Sequence, residues 1–212
     1  AHVIPGVDDG SRTMEESVEM LKRAADQGIV GVIATPHYSR RHVLKGLNDS
    51  AKLLQQEIRK TYPKFRIFPG QETFYHDELA QRLNEGKAYT MVDSQYVLVE
   101  FMPSVSYEIL FQGIRKLVSN GYTPILAHME RYGCLRKKGT SELLDIGCKL
   151  QMNYDSIQGH WFSPEVRWCR EQLFRSGQIT DRLRSQRHSN GLTVILMHNR
   201  SGALLTRTRC AS

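Results

Sequence analysis

The chain has 212 residues, 40% of them hydrophobic and 24% charged, proportions that suit one soluble globular domain with a sizeable core. No apolar stretch approaches the roughly 20 residues a spanning helix needs, the opening AHVIPGVDDG lacks a signal-peptide pattern, and the missing initiator Met implies residues upstream. Cys134, Cys148, Cys169 and Cys210 follow neither zinc-knuckle nor disulfide spacing, so reduced thiols and a cytoplasmic setting are expected, and the net charge of +7 raises the question of an acidic partner.

Along the chain, helical and strand patterns alternate. Thr13-Met-Glu-Glu16 is a capping-box signature. Behind it Met14, Val18, Leu21 and Ala25 share a helical face, and Gly28 is a C-terminal stop. Residues 29–35 are rich in β-branched side chains and predict a buried strand. Residues 47–61 predict an amphipathic helix with Leu53, Leu54 and Ile58 on its apolar side, and 65–70 a strand. Helix is expected over 77–86, strand over 96–101, and helix over 106–120 closed by Gly121. Strand follows over 123–128, a short helix over 141–146, strand over 149–153, and helix over 164–176 opened by Pro164. Repeated β–α units imply a parallel sheet with helices outside it.

The pattern breaks in the tail. Lysine disappears after Lys149, and residues 178–212 hold six arginines against one aspartate, a net +5 that leaves +2 for the other 177 residues. The basicity therefore belongs to the tail, which lacks the interleaved aromatics of a nucleic-acid surface. Residues 179–183 are too interrupted for a core strand, whereas 193–197 predict one. Two regions result: a body over 1–177, and a divergent Arg-rich tail over 178–212 where the last strand is expected.

Several apolar runs end on residues that bind metal. The run over 29–35 leads to His37, 65–70 to Glu72, 96–99 to Glu100 and 124–127 to His128, while His2 and Asp9 open the chain. In a β/α barrel the strand ends converge on one rim, so these distant residues would meet there. Imidazole and carboxylate together suit manganese, iron or zinc. Asp9 also suits a role in the Asp-Asp-Gly turn, but as a ligand it stands ahead of Asp8. Cys169 and Arg175 match the Cys-x5-Arg pattern of cysteine phosphatases, but the segment is helical and has no glycine, so its amides cannot cradle phosphate.

Together these pieces resemble the PHP superfamily of metal-dependent phosphoesterases, in particular its bacterial tyrosine-protein phosphatase branch associated with capsular and exopolysaccharide synthesis. HVIPGVDDGSRTMEES resembles the family's first loop and helix, and GVIATPHY its second strand. FPGQE, VLVEF, GYTPILAHMERY and LQMNYDSIQG follow in the family's order. The resemblance implies a distorted (β/α)7 TIM-like barrel, incomplete at its first and last strands. It implies two or three divalent ions, most commonly manganese, held by His2, Asp9, His37, Glu72, Glu100 and His128, with Arg131 contacting the phosphoryl group. His188, in Ser185-Gln186-Arg187-His188, is the nearest match to the family's last ligand pair, with Gln186 replacing its Asp.

The activity implied is hydrolysis of phosphotyrosine by metal-activated hydroxide, with no phosphoenzyme. The implied partner is the tail of a bacterial tyrosine autokinase, without nucleic acid or membrane insertion, and with room for a homo-oligomer. Two alternatives stay open: a PHP phosphoesterase acting on a small phosphate such as histidinol phosphate, and a catalytically impaired kinase-binding relative.

Overall fold

The computed structural model describes residues 1–38, 46–153, 156, 164–175 and 196–197. The first helix, α1 (Met14–Asp26), starts where Thr13 Oγ1 accepts the Glu16 N–H at 3.2 Å. Glu16 Oε2 reaches back to the Arg12 N–H at 2.8 Å, so the capping box is closed one residue outside its usual position. Gly28, at φ +84°, ends the helix in a conformation that side chains with a Cβ resist.

The chain continues through β1 (Gly31–Ala34), β2 (His37–Tyr38), α2 (Leu47–Arg59), β3 (Arg66–Pro69), β4 (Glu72–Phe74) and α3 (Leu79–Asn84). Next come β5 (Tyr96–Glu100), α4 (Tyr107–Ser119), β6 (Thr123–Leu126), α5 (Gly133–Lys138) and α6 (Ser141–Asp145). Short strands β7 (Lys149–Leu150) and β8 (Met152–Asn153), helix α7 (Pro164–Arg175) and β9 (Leu196–Met197) complete the described elements.

Every strand pairing among the described residues is parallel. β1 pairs with β3, the order β2-β4-β5-β6-β7 forms a five-stranded sheet, and β8 pairs with β9. Thr35 and Pro36 separate β1 from β2, and Gly70 and Gln71 separate β3 from β4, so the same chain neighbours run side by side through both interruptions. Lateral order follows chain order without the reversal of a doubly wound sheet. The carboxyl ends of the strands therefore face one rim. At the other flank the Thr35 N–H donates to the Ala1 carbonyl at 2.9 Å, laying the amino-terminal segment beside β1 and bringing His2 to that rim.

β5 shows why a parallel strand reads as a continuous apolar run. Val97 and Val99 pack in one core with Leu110, Ile114 and Leu117 of α4, and Leu98 packs in a second core with Val3, Ile4, Ile125 and Ala127. Gly113 of α4 lets the Tyr75 and Phe101 rings come close; a Cβ there would lie 2.8 Å from Tyr75 Cζ.

Several expectations need correction. Leu53 is 55% exposed, because α2 buries the stripe Ala51, Leu54 and Ile58 and turns Leu53 outward. Val30 is 78% exposed just ahead of β1, so the buried strand is shorter than 29–35. Strands β2 and β4 arise as separate pieces because Pro36 has no N–H, and a Cβ on Gly70 would stand 2.8 Å from Ile33 Cγ2. Helix α5 has no counterpart among the sequence expectations. In the tail, β9 falls inside the expected 193–197 and pairs Met152 with Leu196, while 179–183 and His188 lie outside the described residues. No helix among the described residues is long and apolar enough to cross a membrane.

Candidate metal centre

His37 opens β2 and Glu72 opens β4, where the parallel register sets them side by side. Glu100 closes β5 opposite Phe74, two residues beyond Glu72. His128 follows β6 in a left-handed conformation, φ +49°, which a non-glycine residue adopts at a cost. These four residues and His2 share one rim, as the strand-end pattern requires.

Glu72 is the hub. Its side chain is fully buried, with Oε2 3.0 Å from His2 Nε2 and Oε1 2.9 Å from His128 Nε2. Oε1 nevertheless completes no aligned hydrogen bond with a described residue. His37 Nδ1 lies 3.3 Å from Glu100 Oε1, and His37 Nε2 lies 3.7 Å from Asp9 Oδ1. The His2 and His37 rings approach to 4.5 Å between centroids. Two groups, His2–Asp9–His37 and His37–Glu72–Glu100, each bring three donor atoms within 4.8 Å of one another.

Asp9 joins the first group with its carboxylate 83% exposed, whereas Asp8 is only 5% exposed and works differently. Asp8 Oδ2 accepts the His37 N–H at 2.9 Å and lies 2.6 Å from His2 Nδ1, while Oδ1 accepts the Gly10 N–H at 3.0 Å. Asp8 thus orients His2 and ties the first loop to β2. The sequence alone sets Asp9 ahead of Asp8 and gives Asp8 no such part; its signal is Gly10, two residues on, whose N–H the Asp8 carboxylate accepts.

Charge follows the same geometry. Burial alone would lower the His2 pKa, but Asp8 and Glu72 outweigh it and lift the imidazole to about 9. Burial would raise the Glu72 carboxyl, and the His128 and His2 imidazoles overcome this to hold it well below the usual carboxylate range. The Asp8 carboxyl is lowered too: burial opposes this, and His2 with the His37 and Gly10 amides prevails. Glu100 raises His37 against the opposing effect of burial.

The residues fit divalent ions. A fully buried carboxylate flanked by imidazoles, whose Oε1 completes no aligned hydrogen bond with a described residue, offers a donor atom to a cation. Adjacent ligands on one octahedral ion with bonds of roughly 2.1 Å stand about 3 Å apart, the spacing of Glu72 from His2 and His128. The donor set of imidazole and carboxylate, with no thiolate, suits manganese, iron or zinc.

Arg131 lies in a 3-10 turn just past His128, where its N–H donates to the His128 carbonyl at 2.8 Å. Its side chain is exposed and pairs with no other described residue. Cys169 is 1% exposed inside α7, and burial pushes its thiol up to about 12, so it is no nucleophile.

Residues 1–192 match the family model for capsular polysaccharide synthesis, CpsB/CapC. The tyrosine-protein phosphatase CpsB of Streptococcus pneumoniae is 32% identical over 183 residues, covering 81% of this chain and 73% of that protein. CpsB of Streptococcus agalactiae is 26% identical over 163 residues, covering 74% of this chain and 67% of that one. The tyrosine-protein phosphatase YwqE of Bacillus subtilis is 28% identical over 167 residues, covering 74% and 64%. Among solved structures, one from the crystallographic work on YwqE from Bacillus subtilis and CpsB from Streptococcus pneumoniae superposes with a TM-score of 0.73 at 28% identity. It covers 84% of this chain and 74% of its own, and those two proteins are described as metal-dependent tyrosine phosphatases. By sequence and by fold, this chain belongs to the CpsB/CapC family of capsular polysaccharide synthesis.

Proposed function

We propose that the chain is a metal-dependent protein-tyrosine phosphatase that hydrolyses phosphotyrosine on the tail of a bacterial tyrosine autokinase, in the cytoplasm, and so regulates polysaccharide synthesis. The observation that carries this reading is Glu72, buried on the rim between His2 and His128 with an oxygen that no described residue satisfies by an aligned hydrogen bond. The family membership and the phosphatase names of the relatives point the same way. The chain-order run of parallel strands supports a distorted seven-stranded β/α barrel.

In this reading Glu72, Glu100, Asp9, His2, His37 and His128 hold two or three divalent ions, manganese first among them, and His188 is a further ligand from the tail. Bound ions lower the pKa of water and neutralise phosphate oxygens. The protein's own part is orientation. Asp8 fixes His2, and Glu100 steadies His37. Arg131, exposed beside His128, offers a planar fork of donors to the phosphoryl oxygens. Burial of Glu72 keeps bulk water from its carboxylate.

The test is hydrolysis of a phosphotyrosine peptide with manganese and with chelator. Turnover that is lost on chelation and restored by manganese supports the reading. Turnover that survives complete chelation contradicts it.

A further inference from the structure

Behind His128 lies a chain of side-chain amides whose direction is fixed. The His128 backbone N–H can only donate, and it meets Gln151 Oε1 at 2.6 Å. Gln151 must therefore present its NH2 at the other end, where it meets Asn153 at 3.3 Å. The Asn153 atom that receives this bond is its carbonyl Oδ1, and the same oxygen lies 3.0 Å from His128 Nδ1. An oxygen acceptor facing Nδ1 requires the imidazole proton to be there. All three residues are buried, with Gln151 wholly inaccessible and Asn153 and His128 each 8% exposed.

The surroundings hold this relay in place. The Met129 N–H donates to the Gln151 carbonyl at 2.9 Å, and the Gln151 N–H donates to the Leu126 carbonyl at 2.9 Å, locking β6 and its turn to the β7–β8 segment. Glu130 Oε1 accepts the Asn153 N–H at 3.2 Å and the Ser156 hydroxyl at 3.1 Å, which fixes the end of β8.

We propose that Gln151 and Asn153 are positioning residues that pin the His128 proton on Nδ1 and so leave the Nε2 lone pair for the metal centre. The inference rests on the reading of His128 as a ligand. Nε2 is the nitrogen 2.9 Å from Glu72 Oε1. The relay accounts for the left-handed backbone at His128, which brings its N–H and its ring to the same pair of amides. Partners that orient a ligating imidazole commonly change metal affinity by about 10–100-fold when removed.

The test is a long-range 1H–15N correlation spectrum of the imidazoles in the full chain, metal-free in alkaline solution and loaded with zinc. The expected result is a proton on His128 Nδ1 in both forms and a bare Nε2 in the zinc-loaded form; a bare Nδ1 in either form, or an Nε2 proton in the zinc-loaded chain, overturns the proposal. Asn153→Leu and Asn153→Asp are then titrated with manganese by calorimetry. Leu, which cannot accept the bond, is expected to weaken binding about 10–100-fold, and Asp, which can, to stay within a few-fold of the parent. Equal binding by all three proteins, or equal loss in both variants, overturns it. If the parent chain binds no metal, the functional reading fails, while the metal-free spectrum still decides the proton's place.

Discussion

His37 and Glu72 are register partners on the adjacent parallel strands β2 and β4, and this single pairing explains how the centre is assembled. Parallel strands deliver their carboxyl ends to one rim, so a ligand placed first on β2 and first on β4 needs no special loop to meet its neighbour. Glu72 then reaches inward, between His2 and His128, while His37 leans toward Glu100 and Asp9.

Metal loading is expected to release protons. His2, raised from 6.5 to about 9, is charged at neutral pH in the metal-free chain, and ligation needs its neutral form. Manganese affinity should therefore climb with pH and level off above about 9. Stability of the metal-free protein runs the other way. The raised His2 pKa contributes stability that is fully present below 6.5 and lost as pH rises through about 9. Calorimetric titrations in buffers of different ionisation enthalpy check the first expectation, and thermal melts of chelated protein across that window check the second.

Cys169 should be dispensable. It is buried within α7 with its thiol pushed up to about 12, so almost no thiolate exists at neutral pH. Cys169→Ser is expected to keep kcat/KM within about twofold of the parent, allowing for ordinary scatter among variants without a role in the chemistry. A thousandfold loss in a folded variant would revive the cysteine mechanism.

Gly10 is a steric requirement of the centre. A Cβ there would lie 2.2 Å from the His2 carbonyl oxygen and 2.5 Å from its Cβ. Gly10→Ala must push the first loop away from His2, breaking the Asp8 contact that orients the ring. Manganese affinity is expected to fall by about tenfold or more, within the range seen when a ligand's support is disturbed, with the far-ultraviolet circular dichroism unchanged. Unaltered affinity would show that His2 does not ligate.

The strand-end ligands were legible in the sequence because each follows a β-branched or apolar run and carries a side chain that such a run rarely ends on without use. Glu72 and His128 are the clearest cases. Asp8 was harder, since two adjacent aspartates before a glycine differ only in which one the turn aims inward. Gln151, between β7 and β8, and Asn153, at the end of β8, were harder still, because neutral amides there look like core or turn residues until their partners are placed. Leu53 misled for a different reason: on α2 it neighbours the buried stripe, and only the packing of Ala51, Leu54 and Ile58 shows that the stripe excludes it. The split of β1 from β2 depends on Pro36 and on the close approach at Gly70, which are tertiary facts.

Anomalous diffraction from crystals soaked in manganese tests the central claim most directly. The expected result is two or more peaks on the rim, one among His37, Glu72 and Glu100 and one among His2, Asp9 and His37. Crystals that take up manganese only elsewhere on the surface, with Glu72 still bare of any ion, would contradict it.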